Sequence, residues 1–287
     1  MLNLLLQTTI EEQPDDWDIS RFSRLASFLA TLRDKDGGLA FRVIARNRTQ
    51  RGTPDPVLST LDKSDVDQLW LFAVDGGDGL TDADCMGISR FRRLGGALMV
   101  TRDHMDVGSS ICNLGGIGAA HYFHSHNREP DLSRHCVDDT YATNISWPNY
   151  HSGANGDFQR VRSVGSIHPV MRDRQSSTGV IQYLPSHPHE GVVGVPADDS
   201  TGRVVVEGQS LVSGRRFNIA VAFERSEHGG RAIAQSTFHH FADYNWDPAC
   251  GCPTFVAESP GDGMARFPEA LRSTKQYASN LAFWLSA

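Results

Sequence analysis

Twelve histidines lie in the chain, and their grouping, more than their number, points to chemistry. Imidazole titrates near neutral pH and binds metals through its neutral ring, so a histidine beside a carboxylate suits proton transfer or ion binding. Asp103, His104 and Asp106 follow directly on the apolar run Ala97–Val100. A carboxylate in that position can hold the ring in one tautomer and raise its basicity. A second apolar run, Arg231–Gln235, ends in Ser236, Thr237, Phe238, His239 and His240. His104 and His239 are therefore the expected acid–base residues, with Asp103 and Asp106 supporting them. The alternative is that the acids only turn or cap the chain and the histidines are ordinary hydrogen bonders.

His121, His124 and His126 form another group. Residues three apart share a helix face, so His121 and His124 are candidate ligands of a divalent transition metal, with Asp103, Asp106 or His187 as a third. His126 falls off that face, and the spacing matches no standard zinc signature. The segment His187-Pro188-His189-Glu190-Gly191 reads as an exposed turn. Trp147, Tyr150 and Trp246 stand in polar surroundings, where aromatic rings stack on a sugar or anchor a loop. Gly76, Gly77 and Gly79 follow Val74 without the Lys-Ser of a phosphate loop, and they read as a flexible turn.

These groups need elements that bring them together. Leu2–Leu6 reads as a strand and Ile19–Leu32 as a helix with apolar residues at helical spacing. Phe41–Ala45, Leu69–Val74 and Ala97–Val100 read as further strands, and Asp82–Leu94 as a helix capped by the Thr81 hydroxyl. From His124 to about residue 180 periodicity fails, and polar residues dominate; a loop of that length inside a compact domain is expected to be an insertion or lid. Order returns at Gly179–Leu184, Arg203–Glu207, Phe217–Phe223 and Arg231–Gln235, and Phe267–Leu285 is amphipathic. Short apolar strands alternating with helices imply a three-layer α/β domain over residues 1–287, flavodoxin-like, with a mostly parallel sheet covered on both faces. In such a sheet Gln7 to Thr9, Asp75, Asp103 to Asp106 and Ser236 to His240 leave strands at one carboxyl edge, where ligands bind. Asp75, His187, His240 and Trp147 are the expected substrate contacts.

With 27 basic and 34 acidic side chains the net charge is −7, which disfavours a nucleic-acid partner. The apolar start Met1–Leu6 is too short for a membrane span and lacks the basic residues of a signal peptide. Five cysteines without a C-x-x-C pair indicate neither a disulfide framework nor a zinc ribbon, and a reducing cytoplasm is the expected compartment.

In their order, Phe91–Gly96, Ala97–His104, Leu114-Gly115-Gly116 with His121 and His124, His187-Pro188, and Gly230-Arg231-Ala232 leading to Phe238-His239 resemble the ThuA-like family, a branch of the class I glutamine-amidotransferase-like fold. The resemblance covers scattered pieces of residues 1–123 and 180–245. It implies a three-layer α/β fold, a crevice beside His187 and an association with sugar catabolism. The wider fold also implies a nucleophilic cysteine at the elbow after the fourth strand and a later Phe-His-Pro-Glu. Here the elbow reads Thr101-Arg102-Asp103-His104, Phe238-His239 continues into His240-Phe241, and Cys112 lies too far along. Glutaminase chemistry, which needs a thiolate, is not expected. The expectation is a cytoplasmic enzyme acting on a small carbohydrate or hydroxylated acid by His/Asp acid–base chemistry. Three readings stay open beside it: a metal-dependent hydrolase, a non-catalytic sugar-binding module, and an interaction protein whose long loop buries against a partner or a second copy of the chain.

Overall fold

The computed structural model describes residues 1–139, 141–142 and 144–287. Its strands are β1 (Leu2–Thr8), β2 (Phe41–Arg46), β3 (Gln68–Phe72), β4 (Ala97–Thr101), β5 (His121–Tyr122), β6 (Phe158–Arg160), β7 (Arg162–Ser163), β8 (Tyr183–Pro185), β9 (Val192–Val193), β10 (Gly202–Gln209), β11 (Arg216–Phe223) and β12 (Ala232–Gln235). The helices are α1 (Ser23–Ala30), α2 (Asp82–Arg93), α3 (Gly116–Ala119), α4 (Asp243–Trp246), α5 (Gly263–Arg266) and α6 (Pro268–Leu285).

Eight strands form one sheet in the order β2-β1-β3-β4-β12-β11-β10-β7. The first five run parallel, and β11, β10 and β7 continue the sheet with antiparallel pairing. Successive side chains of a strand point to opposite faces, and the core divides accordingly. Leu4, Leu6, Trp70, Phe72, Met99 and Ile233 pack on one side with Leu25 and Leu29 of α1 and Tyr277 and Leu281 of α6. Leu5, Leu69, Leu71, Leu98, Val100 and Ala234 pack on the other with Ile88 and Phe91 of α2. Burial on both faces is why these strands read as unbroken apolar runs.

Helix α2 begins with the predicted cap: Thr81 Oγ1 accepts from the Asp84 N–H, and the Asp84 carboxylate accepts from the Thr81 N–H. The predicted helix Ile19–Leu32 instead opens with a 3₁₀ turn, Ile19–Phe22, before α1. The third strand stops at Phe72, because the Thr9 hydroxyl takes the Val74 N–H at 3.0 Å and draws the chain out of the ladder. Of the expected strand Gly179–Leu184 only the end joins a ladder, β8 with β6, while Val180 makes a single antiparallel bridge to Arg172.

Register sets where the site can be. Thr8 lies opposite Phe72, Phe72 opposite Thr101, and Thr101 opposite Gln235, so β1, β3, β4 and β12 end in line. Everything that follows them leaves at one edge. The long segment from 124 to 180, of which residues 140 and 143 lie outside the described set, puts Trp147, Tyr150, Val170 and Met171 into the same core as α1 and α6.

Two measurements check this packing. Alanine normally favours a helix over glycine, but a Cβ at Gly87 would stand 2.2 Å from the Leu58 carbonyl oxygen. Gly87→Ala should therefore lower stability by roughly 1–3 kcal/mol in chemical denaturation, and a gain in stability would contradict the contact. Asp55 is buried, which raises its pKa, yet a bidentate bond to Arg46 at 2.7 and 2.9 Å and backbone N–H donors bring it down from 3.8 to about 2. A carboxyl depressed in the folded state stabilises above its unfolded pKa, and that stabilisation is lost as pH falls through the folded value. Asp55→Asn should be less stable than wild type at neutral pH, with the gap narrowing between pH 4 and pH 2.

Candidate active site

The loop after β4 is a tight elbow. Asp103 N–H donates to the Val107 carbonyl at 3.2 Å and Val107 N–H to the His104 carbonyl at 3.0 Å, while Met105 takes φ 47° and Gly108 φ 85°. Gly108 is needed there, since a Cβ would meet the Ala73 carbonyl oxygen at 2.7 Å. The loop after β12 is tied to this elbow by Phe238 N–H donating to the Arg102 carbonyl at 3.0 Å.

Asp103, 1 % exposed, is the hub. Its Oδ1 accepts from the Thr237 hydroxyl at 2.7 Å. Its Oδ2 lies 2.8 Å from His104 Nδ1, 3.5 Å from His187 Nε2 and 3.8 Å from His239 Nε2. The rings of His187 and His239 stack with centroids 3.5 Å apart and planes 12° off parallel. Burial opposes ionisation of Asp103, but the imidazoles of His187, His104 and His239 outweigh it and hold the carboxyl well below its ordinary range. Burial pushes His187 down to about 4 and His239 well below its usual value.

Two amides orient the stacked rings. His187 Nδ1 lies 2.8 Å from Asn155 Oδ1, and His239 Nδ1 lies 2.9 Å from Asn245 Oδ1. Beside this group stands another: His189 has Asp139 Oδ2 3.2 Å from Nδ1 and Glu258 Oε1 2.9 Å from Nε2. Its ring is 5.4 Å from that of His104 and 5.5 Å from that of His187. Asp103, His104, His187 and His239 line one cavity of about 540 Å³ with His189 and Glu258, and its other walls include Trp17, Tyr141, Ile145, Phe238 and Phe255.

Of the residues singled out in the sequence, His104, His239, Asp103 and His187 meet at this cavity. The others go elsewhere. Asp106 accepts from the N–H and hydroxyl of Ser125 and stays off the cavity wall. Asp75 accepts from the Ser110 hydroxyl at 2.9 Å and lines a separate cavity with Thr9 and Arg48. His240 is buried against Glu190 Oε1 at 3.2 Å. Trp147 is buried, donates to the Arg134 carbonyl at 3.2 Å and packs 4.1 Å from the His135 ring. Trp246 is likewise buried, donating to the His240 carbonyl at 2.9 Å.

The metal pair read from spacing is corrected outright. α3 ends before His121, which begins β5, so His121 and His124 share no helix face. The His121 nitrogens face the Ile117 and Val100 carbonyls at 2.9 and 3.3 Å. His124 Nδ1 contacts the Ser146 hydroxyl at 2.9 Å. The supposedly exposed turn is buried at His187, His189 and Glu190. Sequence reasoning missed Asn155, Asn245, Asp139 and Glu258, which sit in polar stretches without a motif, and it discounted His189. All five cysteines are free, and none is among the described residues of the cavity wall. Burial pushes the Cys85 and Cys112 thiols up to about 12 and 11.

The sequence matches no protein-family model and no curated protein. Solved structures do resemble it. The mmIFT52 N-terminal domain aligns with a TM-score of 0.51 at 11 % identity, over 99 % of this chain and 97 % of that one. A ThuA-like protein from Bacteroides uniformis aligns at 0.47 and 10 % identity, over 99 % of this chain and 91 % of that one. A second ThuA-like protein, from Parabacteroides merdae, aligns at 0.44 and 14 % identity, over 91 % of this chain and 95 % of that one. Likeness at such identities is likeness of fold, and that fold is an α/β sheet covered by helices on both faces.

Proposed function

We propose that the protein is an enzyme that moves protons on a small hydroxylated substrate of carbohydrate type, with His104 as the acid–base residue. The observation that carries this reading is the bond between His104 Nδ1 and Asp103 Oδ2 at 2.8 Å. An ionised Asp103 accepts from Nδ1–H, which leaves Nε2 as the proton-accepting atom of the neutral ring. The His104 side chain is 22 % exposed at the cavity wall, against 2 % for Asp103. No hydrogen bond from the described residues engages its Nε2. A ring held in one tautomer by a buried carboxylate, with its other nitrogen open to a pocket, is the working part of a general base.

The described residues of the wall include no cysteine, serine, threonine or lysine. The reacting oxygen in this proposal belongs to water or to the substrate. Polar groups from the two histidine clusters line the cavity together with the apolar surfaces of Trp17, Tyr141 and Phe255. That mixture suits a sugar, whose hydroxyls need fixed polar partners while its C–H faces pack on aromatic rings. Among the described residues no helix is long and apolar enough to cross a membrane. Five free thiols accord with a reducing compartment, and a cytoplasmic site of action is part of the proposal.

The test is proton NMR of sugars and hydroxy acids incubated with the protein in deuterated buffer, which sees hydrolysis, isomerisation and C–H exchange alike. Wild type should change the spectrum of at least one member of the panel, and His104→Ala should slow that change about 100-fold or more. A change that proceeds equally in His104→Ala would sink the assignment. An inert panel whose members nonetheless raise the melting temperature of wild type and His104→Ala alike would replace the enzyme with a binding module.

A further inference from the structure

We propose that the substrate carries a positive charge: the cavity takes an amino sugar, whose protonated amine is held by the Asp16 and Glu258 carboxylates and by the aromatic rings of the same wall. The sugar half of this rests on the reading above, and the ammonium half rests on the charges of the wall alone.

Three acids line the cavity, Asp16, Asp103 and Glu258, and among the described residues no lysine or arginine does. The histidines do not redress the balance. Burial holds His187 down at about 4 and His239 well below its ordinary value, so both rings are neutral at neutral pH. His189 lies between two carboxylates, Asp139 Oδ2 at 3.2 Å and Glu258 Oε1 at 2.9 Å. A second proton on its ring would still leave that group negative. Two guanidinium groups behind the wall bond elsewhere. Arg102 is buried and donates to the Met105 carbonyl, and Arg21 donates to the Pro14, Asp16 and Gly251 backbone carbonyls. A cleft lined by one sign of charge concentrates ions of the other.

Asp16 is half-buried and has no cationic partner among the described residues. Its Oδ1 accepts from the Trp17 N–H at 2.7 Å. Burial, with Asp18 and Asp15 beside it, pushes the carboxyl up from its ordinary value, a penalty that a ligand cation would remove. His187 supplies a further bare acceptor. Its Nδ1 faces Asn155 Oδ1 at 2.8 Å, an oxygen fixed as acceptor because it also takes an Asn245 amide N–H at 2.8 Å. The ring proton therefore sits on Nδ1, and Nε2 is buried without a hydrogen-bond partner. An ammonium group has donors only, which suits a wall of acceptors.

The aromatic residues fit the same ligand. Phe255 and Tyr141 line the cavity although they are 61 % and 68 % exposed. Phe255 is nevertheless fixed on both flanks, by Thr254 N–H donating to Asp15 Oδ1 at 2.7 Å and by Glu258 bonding His189. The first of these bonds also ties the segment carrying Phe255 to the one carrying Asp16 and Trp17. A cation is attracted to the face of such rings, and aromatic rings are a recurrent means of recognising ammonium ligands. A carboxylate or phosphate in the same place would meet like charge, so sugar acids and sugar phosphates are excluded.

The test is titration calorimetry of the whole chain with D-glucosamine, in buffer acidic enough to keep the amine protonated. D-Glucose, N-acetyl-D-glucosamine and D-glucose 6-phosphate are the comparisons, and tetramethylammonium is a cation without a sugar. Glucosamine should bind about 10-fold more tightly than glucose or N-acetylglucosamine, the margin should shrink as salt is added, and the phosphate should not bind. Asp16→Asn, at a half-buried position, should cut the margin about 3–5-fold and leave glucose as before; circular dichroism checks that it folds. Equal binding of glucosamine and glucose, or an unchanged margin in Asp16→Asn, would overturn the proposal and leave the carbohydrate reading standing. Tetramethylammonium binding while every sugar fails would keep the cation site and remove the sugar. Failure of both glucosamine and tetramethylammonium to bind would overturn the site itself.

Discussion

A carboxylate buried at the end of β4 governs this site. Removing a charge from water is costly unless it is paired and hydrogen-bonded, and Asp103 draws its partners from its own elbow and from two distant stretches of chain. Thr237 comes from the loop after β12, His104 from its own elbow, and His187 from the chain just after β8. Each partner also serves as an anchor for the segment that carries it. The cavity is therefore shaped by the same contacts that neutralise the charge.

The sheet was legible in the sequence because its strands are buried on both sides. Leu4, Leu5 and Leu6, or Leu69, Trp70 and Leu71, leave no other pattern open once helices cover each face. Asp103, His104 and His239 were legible for a related reason: they lie within a few residues of the ends of such runs, and aligned strand ends bring them together. Asp75 follows the same rule but turns into the neighbouring cavity, because the Ser110 hydroxyl and the Gly77 N–H engage its carboxylate. Proximity to a strand end selects an edge of the sheet, and local hydrogen bonds select the pocket.

What stayed hidden came from irregular chain. Asn155 and Asn245 belong to no motif, and their role depends on a mutual bond between residues far apart in sequence. Spacing misled at His121 because three-residue periodicity has meaning only on a helix, and α3 has already ended there. The insertion was read from its polar composition, which hid a minority of aperiodic apolar residues. Tyr150, Val170 and Met171 are wholly buried in the core beneath the sheet, while Tyr141 and Ile145 reach the cavity wall. One segment thus completes both the packing and the pocket.

The position of β12 bears on how the molecule is assembled. It is last in sequence among the strands, yet it lies inside the sheet, with the parallel strands on one side and the antiparallel ones on the other. Until the ribosome has made the chain out to Gln235, β4 is an unsatisfied apolar edge, and the two halves of the sheet have no seam between them. Pairings of such long sequence separation form slowly, and open edges invite wrong partners in the meantime. The strand that delivers His239 is also the one that closes the sheet, so a protein with its site assembled is one whose folding is nearly finished.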